Sequence, residues 1–346
     1  MLFLTGSYTD PHGEGLGVAL LDLGGDAGAA RTRQLSPAES PSWVDQHPHL
    51  DLLYVVEEHE GRVVALRGAL DAGAPLERLE PARAVGAAAC HVRVADNGSH
   101  LVTTSWGEGT VTLIPLDEQG ALGEPEYGIP STDPHQAAGE RQSRAHCSIA
   151  IPPHWALADG RDDLVLTTDL GHDILRLWST GDGLTLEREI ALPEGCGPRH
   201  MALGPSDHLY VCTEYSVDVV VLDSALEVAA LTPALGHAPT DGDTAAEITV
   251  DPSGRWVSVG VRGSDVIAVL EIHSEGGMLS ARRSASCGGS IPRHHAHLAD
   301  RVLVANQGSS TITELPFDPA TGEVGAPSRT IAVGTPTQVL PLDKLS

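Results

Sequence analysis

The feature that most constrains this chain is a phrase of strand, turn, strand, turn, strand that recurs along it. It is cleanest where Cys90-His91-Val92-Arg93-Val94 runs into Asp96-Asn97-Gly98, then residues 101–106, a short turn and residues 109–113. The apolar residues alternate with period two, which marks strands rather than helices, and Asn-Gly between such runs favours a tight hairpin. Residues 199–203 followed by 209–214 repeat the pattern. So do residues 246–250, with Asp251-Pro252-Ser253-Gly254 as the turn before 256–259.

One equivalent position from each copy gives Trp43, His91, Ser148, His200, Glu247, His294 and Gln338, separated by 44 to 57 residues. Short strands at that period are the blades of a propeller. The last first-strand, at 335–340, has no partners after it, whereas residues 2–7 and 16–21 read as second and third strands with no first. The expected fold is therefore all-β, a seven-bladed β-propeller of four-stranded antiparallel blades. Its C-terminal strand closes the ring against the N-terminal strands, and residues 1–346 form a single domain.

Composition narrows the partners. A formal charge of −26 argues against nucleic acid and anionic membrane, which need a basic face to neutralise phosphate. One lysine, Lys344, stands against twenty arginines, so an anion site must use arginine and a lysine nucleophile is excluded. The start lacks a basic segment with an apolar run, and no stretch approaches the roughly 18 apolar residues of a spanning helix. Five cysteines, odd in number and without C-x-x-C spacing, read as reduced thiols rather than a zinc site. The expectation is a cytoplasmic protein. Phenylalanine, tyrosine and tryptophan are scarce, so the contacts between blades are expected to be aliphatic.

The first strands of a propeller line its channel, so equivalent residues form rings. One ring is the set above with the residues before it: Ser42, Cys90, Cys147, Arg199, Ala246, Arg293 and Thr337. A second ring, at the end of each second strand, is Ser7, Glu58, Trp106, Asp169, Glu214, Arg262 and Gln307. Arg, His and Glu interrupt the apolar rule at these places. Pro-Arg-His occurs twice, at 198–200 and 292–294, and together with Arg262 gives a cationic patch suited to a small carboxylate or phosphate. Alternatively, the arginines pair with Glu58, Asp169, Glu214 and Glu247 and knit the blades. In His294-His295-Ala296-His297, only His295 and His297 share a face. Two ligands beside arginines do not make a metal site, and no cofactor motif is present.

Several of these segments carry a family likeness. Thr5-Gly6-Ser7-Tyr8-Thr9-Asp10, Arg141-Gln142 before Ala145-His146-Cys147-Ser148, Gly197-Pro198-Arg199-His200, Ala245-Ala246-Glu247-Ile248, Ala305-Asn306-Gln307 and Phe317-Asp318-Pro319-Ala320-Thr321-Gly322 resemble the seven-bladed lactonase family. That family includes propeller-type 6-phosphogluconolactonases and carboxy-muconate lactonizing enzymes. The resemblance covers nearly the whole chain and implies a hydrolase that opens a sugar lactone, 6-phosphogluconolactone foremost, in the pentose phosphate pathway. A carboxy-muconate cycloisomerase and a non-catalytic binding platform are the alternatives.

The resemblance further implies that Arg199, Glu214, Arg262 and a histidine carry the chemistry. The family's Pro-His-x-His step reads Arg144-Ala145-His146-Cys147 here. Strand alternation through Ile149 and Ile151 puts Cys147 at the histidine position, and a one-residue shift would give it to His146, the residue preferred here. His146 or Glu214 would take a proton from water while Arg199 or Arg262 holds the oxyanion. Arg293 would hold the 6-phosphate, with His91, His200, Glu247, His294, Gln307 and Glu58 lining the substrate site.

Overall fold

A computed structural model describes residues 1–24, 29–70, 73–135 and 141–342. Lys344 lies outside the described residues. Seven antiparallel sheets follow one another around a ring. Blades 2 to 7 begin with inner strands Pro41–Gln46, Ala89–Val94, Ala145–Ala150, Pro198–Leu203, Thr244–Val250 and Pro292–His297. Each of these strands is followed outward by the next strands of the sequence. In blade 7 the outermost strand is Arg329–Ala332, and the two-residue strand Glu323–Val324 forms a hairpin with the end of the third.

Blade 1 joins the two ends of the chain. Pro336–Pro341 pairs with Leu2–Ser7 in the register Phe3↔Pro341, Leu4↔Leu340, Thr5↔Val339 and Gly6↔Gln338. Val18–Asp22 and Arg31–Ser36 complete it. The expected closure is therefore the observed one, and it ties segments more than 300 residues apart into one sheet.

Period two explains how the ring holds together. Along the second strand of blade 2, Leu53 and Val55 pack toward blade 1, while Leu52, Tyr54 and Val56 pack toward blade 3. Successive side chains point to opposite faces of a sheet. A blade packed on both faces therefore needs apolar residues at every position, as the continuous burial of Leu52–Glu57 shows. The buried apolar residues fall into seven clusters, one for each pair of neighbouring blades. They are mainly Leu, Val, Ile and Ala, with Trp155, Trp178, Tyr54, Tyr210 and Phe3 among the largest buried side chains.

One irregularity is common to all blades. Where the inner strand meets the end of the second, the inner strand carries one extra residue, a β-bulge. The residue at the start of each bulge is Pro336, Pro41, Ala89, Ala145, Pro198, Ala245 or Pro292. Proline suits the first position of a strand because it has no N–H to give the ladder. Bulges re-aim side chains next to functional sites, and these seven surround the channel mouth. Among the described residues, no helix is long and apolar enough to cross a membrane.

Candidate active site at the channel mouth

The bulges decide which residues are equivalent. Ala145 pairs with Asp169 and Ser148 with Thr167, just as Pro198 pairs with Thr213 and Met201 with Val211. His146 is thus the counterpart of Arg199, Cys147 of His200, and Ser148 of Met201. Strict alternation, which set Ser148 beside His91 and His200 and Cys147 beside Arg199, is off by one residue in blade 4. Every blade carries the same bulge, so the offset of blade 4 shows only in the strand pairing, which the order of residues does not display. The second ring needs the same correction twice. Ser7 and Asp169 are the last paired residues of their strands, so the positions matching Glu58, Glu214 and Arg262 are Tyr8 and Leu170.

The floor of the site is aromatic and polar. The Trp43 ring crosses the channel and lies against three histidines of other blades, with centroid separations of 4.6 Å to His91, 5.1 Å to His200 and 5.2 Å to His294. Glu247 sits between two of them, with Oε2 at 2.9 Å from His200 Nδ1 and 3.5 Å from His294 Nε2. His91 is held by the Ser148 hydroxyl, 3.2 Å from its Nδ1, and touches Cys147 Sγ at 3.8 Å. Gln338 accepts the Val44 N–H at 2.8 Å, which fixes the closing strand against blade 2.

Above the floor lie the charged groups. One carboxylate oxygen, Glu214 Oε2, meets Arg199 Nε at 2.9 Å and Arg262 Nη2 at 3.1 Å. Arg199 also donates to the carbonyl of Ala246. On the opposite wall Glu58 accepts from the Tyr8 hydroxyl at 2.6 Å and from Arg293 Nη2 at 3.1 Å. Arg293 also lies 5.1 Å from the Tyr8 ring centroid and 3.4 Å from Gln307 Oε1. The arginines of the mouth are thus paired at rest with Glu58 and Glu214. Asp169 takes no part in this pairing and instead binds the Ser131 and Ser143 hydroxyls and the Arg144 N–H. Glu247 pairs with histidines.

His146 packs its ring 5.0 Å from that of His200. Burial, and then the arginines nearby, drive the pKa of His146 and of His200 well below the ordinary imidazole value. His91 is lowered in the same way, mainly by burial. His294 falls to about 4, burial outweighing the pull of Glu247. Burial raises Glu247. At neutral pH the site therefore presents neutral imidazoles beside guanidinium groups. His146 Nδ1 and Arg262 Nε are buried and make no hydrogen bond, whereas Arg199 Nε and Glu247 Oε2 have only their ion-pair partners. Buried polar atoms are nearly always satisfied, so an unpartnered imidazole nitrogen and an unpartnered guanidinium nitrogen at one mouth are free to meet a ligand.

All eleven sequence-derived residues, His146, Arg199, Glu214, Arg262, His91, His200, Glu247, Arg293, His294, Gln307 and Glu58, meet around this channel. Two further residues, Tyr8 and Trp43, join them. Alternation ends the strand at Ser7, one residue short of Tyr8, and Trp43, though in the first ring, has no charge to mark it as part of the site. His295 turns away from the channel to Thr249 Oγ1 at 2.8 Å, and His297 to the ring of Phe317.

A family model described as the 7-bladed beta-propeller lactonase matches residues 2–341. The chain belongs to that family. Among relatives of this lactonase, the 6-phosphogluconolactonase of Bacillus subtilis is 28% identical over 347 residues, covering 96% of each chain. That of Pectobacterium atrosepticum is 26% identical over 256 residues, 70% of this chain and 71% of its own. Two solved structures show the same fold. A protein from Lactobacillus plantarum superposes with a TM-score of 0.84 at 20% identity, covering 99% of each chain. The periplasmic gluconolactonase of Pseudomonas aeruginosa does so with 0.82 at 21% identity, covering 98% of each.

Proposed function

We propose that this lactonase hydrolyses 6-phosphogluconolactone to the open-chain acid, and that His146, Arg199, Glu214 and Arg262 carry the reaction. The observation behind this reading is the pairing of a neutral, buried imidazole, His146, with two guanidinium groups that share one carboxylate. Hydrolysis of a lactone needs a group that accepts a proton from water and a group that receives negative charge on the carbonyl oxygen.

His146 is the base. Its lowered pKa keeps it unprotonated at neutral pH, and as water adds to the carbonyl carbon the imidazole takes the proton. A positioned base of this kind contributes about 10²–10⁴-fold. Arg199 and Arg262 receive the charge that develops on the carbonyl oxygen, the larger electrostatic contribution in such sites. When the tetrahedral adduct collapses, the ring C–O bond breaks and the proton on His146 passes to the departing ring oxygen. Lactone and water are thereby converted to a hydroxy acid with nothing left over.

Glu214 acts as the clamp. Its oxygen is occupied by both arginines, which orients them and leaves it unsuited to accept a proton from water. Glu247 orients His200 and His294, and these with Trp43 and His91 form the surface on which the sugar ring rests. Arg293, fixed by Glu58, Tyr8 and Gln307, bounds the opposite wall. The charge of −26 disfavours nucleic acid and anionic membrane, the arginines of the mouth fit a small anionic lactone, and the reduced thiols fit the cytoplasm. The deciding assay follows ring opening of 6-phosphogluconolactone by proton release, corrected for spontaneous opening. Acceleration that disappears in an Arg199→Met, Arg262→Met double variant is expected, and an unchanged rate in that variant would overturn the reading.

A further inference from the structure

We infer that Arg144, held flat on Trp106 at the rim of the channel, is the seat for the phosphate of the substrate and hence the residue that favours a phosphorylated over an unphosphorylated lactone. This rests on the lactonase reading above and adds to it the group that selects the substrate. The charges of the mouth lead to it. Arg199 and Arg262 are tied to Glu214 and Arg293 to Glu58, each within 3.1 Å. Among the described residues Arg144 has no carboxylate within ion-pair distance, and its side chain bonds only the neutral Gln142 Oε1, at 3.3 Å.

The position is built rather than incidental. The Arg144 guanidinium carbon stands 3.7 Å from the centroid of the Trp106 ring. Trp106 follows the second strand of its blade as Glu58 and Glu214 follow theirs, and is 38% exposed, so the stack lies on the same rim as those residues. The Arg144 backbone is pinned on both sides, its N–H donating to Asp169 Oδ1 at 2.8 Å and its carbonyl accepting from Leu170 at 2.9 Å. Gly171 packs so closely that an added Cβ would meet Arg144 Cγ at 3.2 Å. Stacking on an aromatic face uses the flat side of the guanidinium and leaves its N–H edge for a planar or tetrahedral anion. Arg144 precedes His146 by two residues, so an anion on Arg144 and a carbonyl beside His146 can belong to one small molecule. Tyr215 stands next to Glu214 on the same rim. Its ring occupies the space beside Gly197, whose φ is +65° and where an added Cβ would stand only 2.6 Å from Tyr215 Cδ2.

The test compares wild type, Arg144→Met and Arg144→Lys on two lactones and two acids. The ratio of kcat/KM for 6-phosphogluconolactone to that for gluconolactone is expected to fall by about 10- to 100-fold in Arg144→Met, the worth of one or two charge-assisted contacts. Arg144→Lys should recover part of it, since the charge remains but the stack and fork do not. A ratio unchanged within about twofold, or an equal loss on both lactones, overturns the assignment. Calorimetric titration with 6-phosphogluconate and gluconate separates this from the reaction itself. If wild type opens neither lactone, the proposed reaction fails, yet loss of preference for 6-phosphogluconate in Arg144→Met would still support the anion seat. Equal affinities in wild type and variant would overturn it. Circular dichroism and melting of each variant exclude unfolding as the cause.

Discussion

Replacing Glu214 by Gln separates the clamp from the base. The change keeps the size of the side chain and removes the negative charge at 2.9 Å from Arg199 Nε and 3.1 Å from Arg262 Nη2. Two guanidiniums then face one amide. Breaking a buried ion pair costs about 3–5 kcal/mol, but Glu214 is 17% and Arg262 21% exposed, and water screens part of that, leaving about 2 kcal/mol. With an unfolding entropy of about 2.1 cal/mol/K per residue, a chain of this length loses about 3 °C in Tm for 2 kcal/mol. If Glu214 is a clamp, kcat falls by about tenfold or less because the arginines are merely less well aimed, and 6-phosphogluconate inhibits more strongly because the cations are no longer neutralised. If Glu214 were the base, kcat would fall by about 10²–10⁴. Steady-state kinetics with His146→Ala measured in parallel decides the matter. A Glu214→Gln loss in kcat equal to that of His146→Ala would refute the assignment.

His146→Ala should lower kcat by about 10²–10⁴ with little change in KM, whereas Cys147→Ala should leave kcat near that of wild type, and the reverse result would overturn the assignment of the base to His146. Trp43→Ala removes the floor, and because the side chain is only partly buried the cost should fall below that of a core tryptophan, about 2 kcal/mol, read as a fall in Tm of about 3 °C. Stability should fall as the pH drops below about 6.5. His91, His146, His200 and His294 are lowered in the folded protein, so below that pH the unfolded chain binds protons the folded one refuses. Each such group adds at most about 1.4 kcal/mol per pH unit, and His294 does so until about pH 4. Glu247, raised in the fold, works in the opposite sense. Melting curves from pH 7.5 to 4.5 should show a lower Tm at acid pH and a shallower slope for His294→Asn, and a flat profile would contradict the neutral histidines.

What the sequence determined by itself follows from short-range physics. Period-two alternation gives strands, the spacing of the copies gives seven blades, and the unpartnered strands at the two ends require closure between them. The breaks in the apolar rule at Arg199, Glu214, Glu247, Arg262, Arg293 and His294 identify the channel, because an unpaired charge is not tolerated inside a blade. Tertiary structure decided the rest. Strand pairing around the bulge at Ala145–Ser148 settles the register of His146 and Cys147, and the pairing of Ser7 with Pro336 leaves Tyr8 as the residue at the mouth. A bulge adds a residue without altering the hydrophobic pattern of the strand that carries it. Pairings such as Arg293 with Glu58, 235 residues apart, and the Trp43 ring against histidines of blades 3, 5 and 7 exist only once the ring has closed. Which arginines are neutralised, and that among the described residues Arg144 is not, depends on distances across that ring, which the order of residues does not encode.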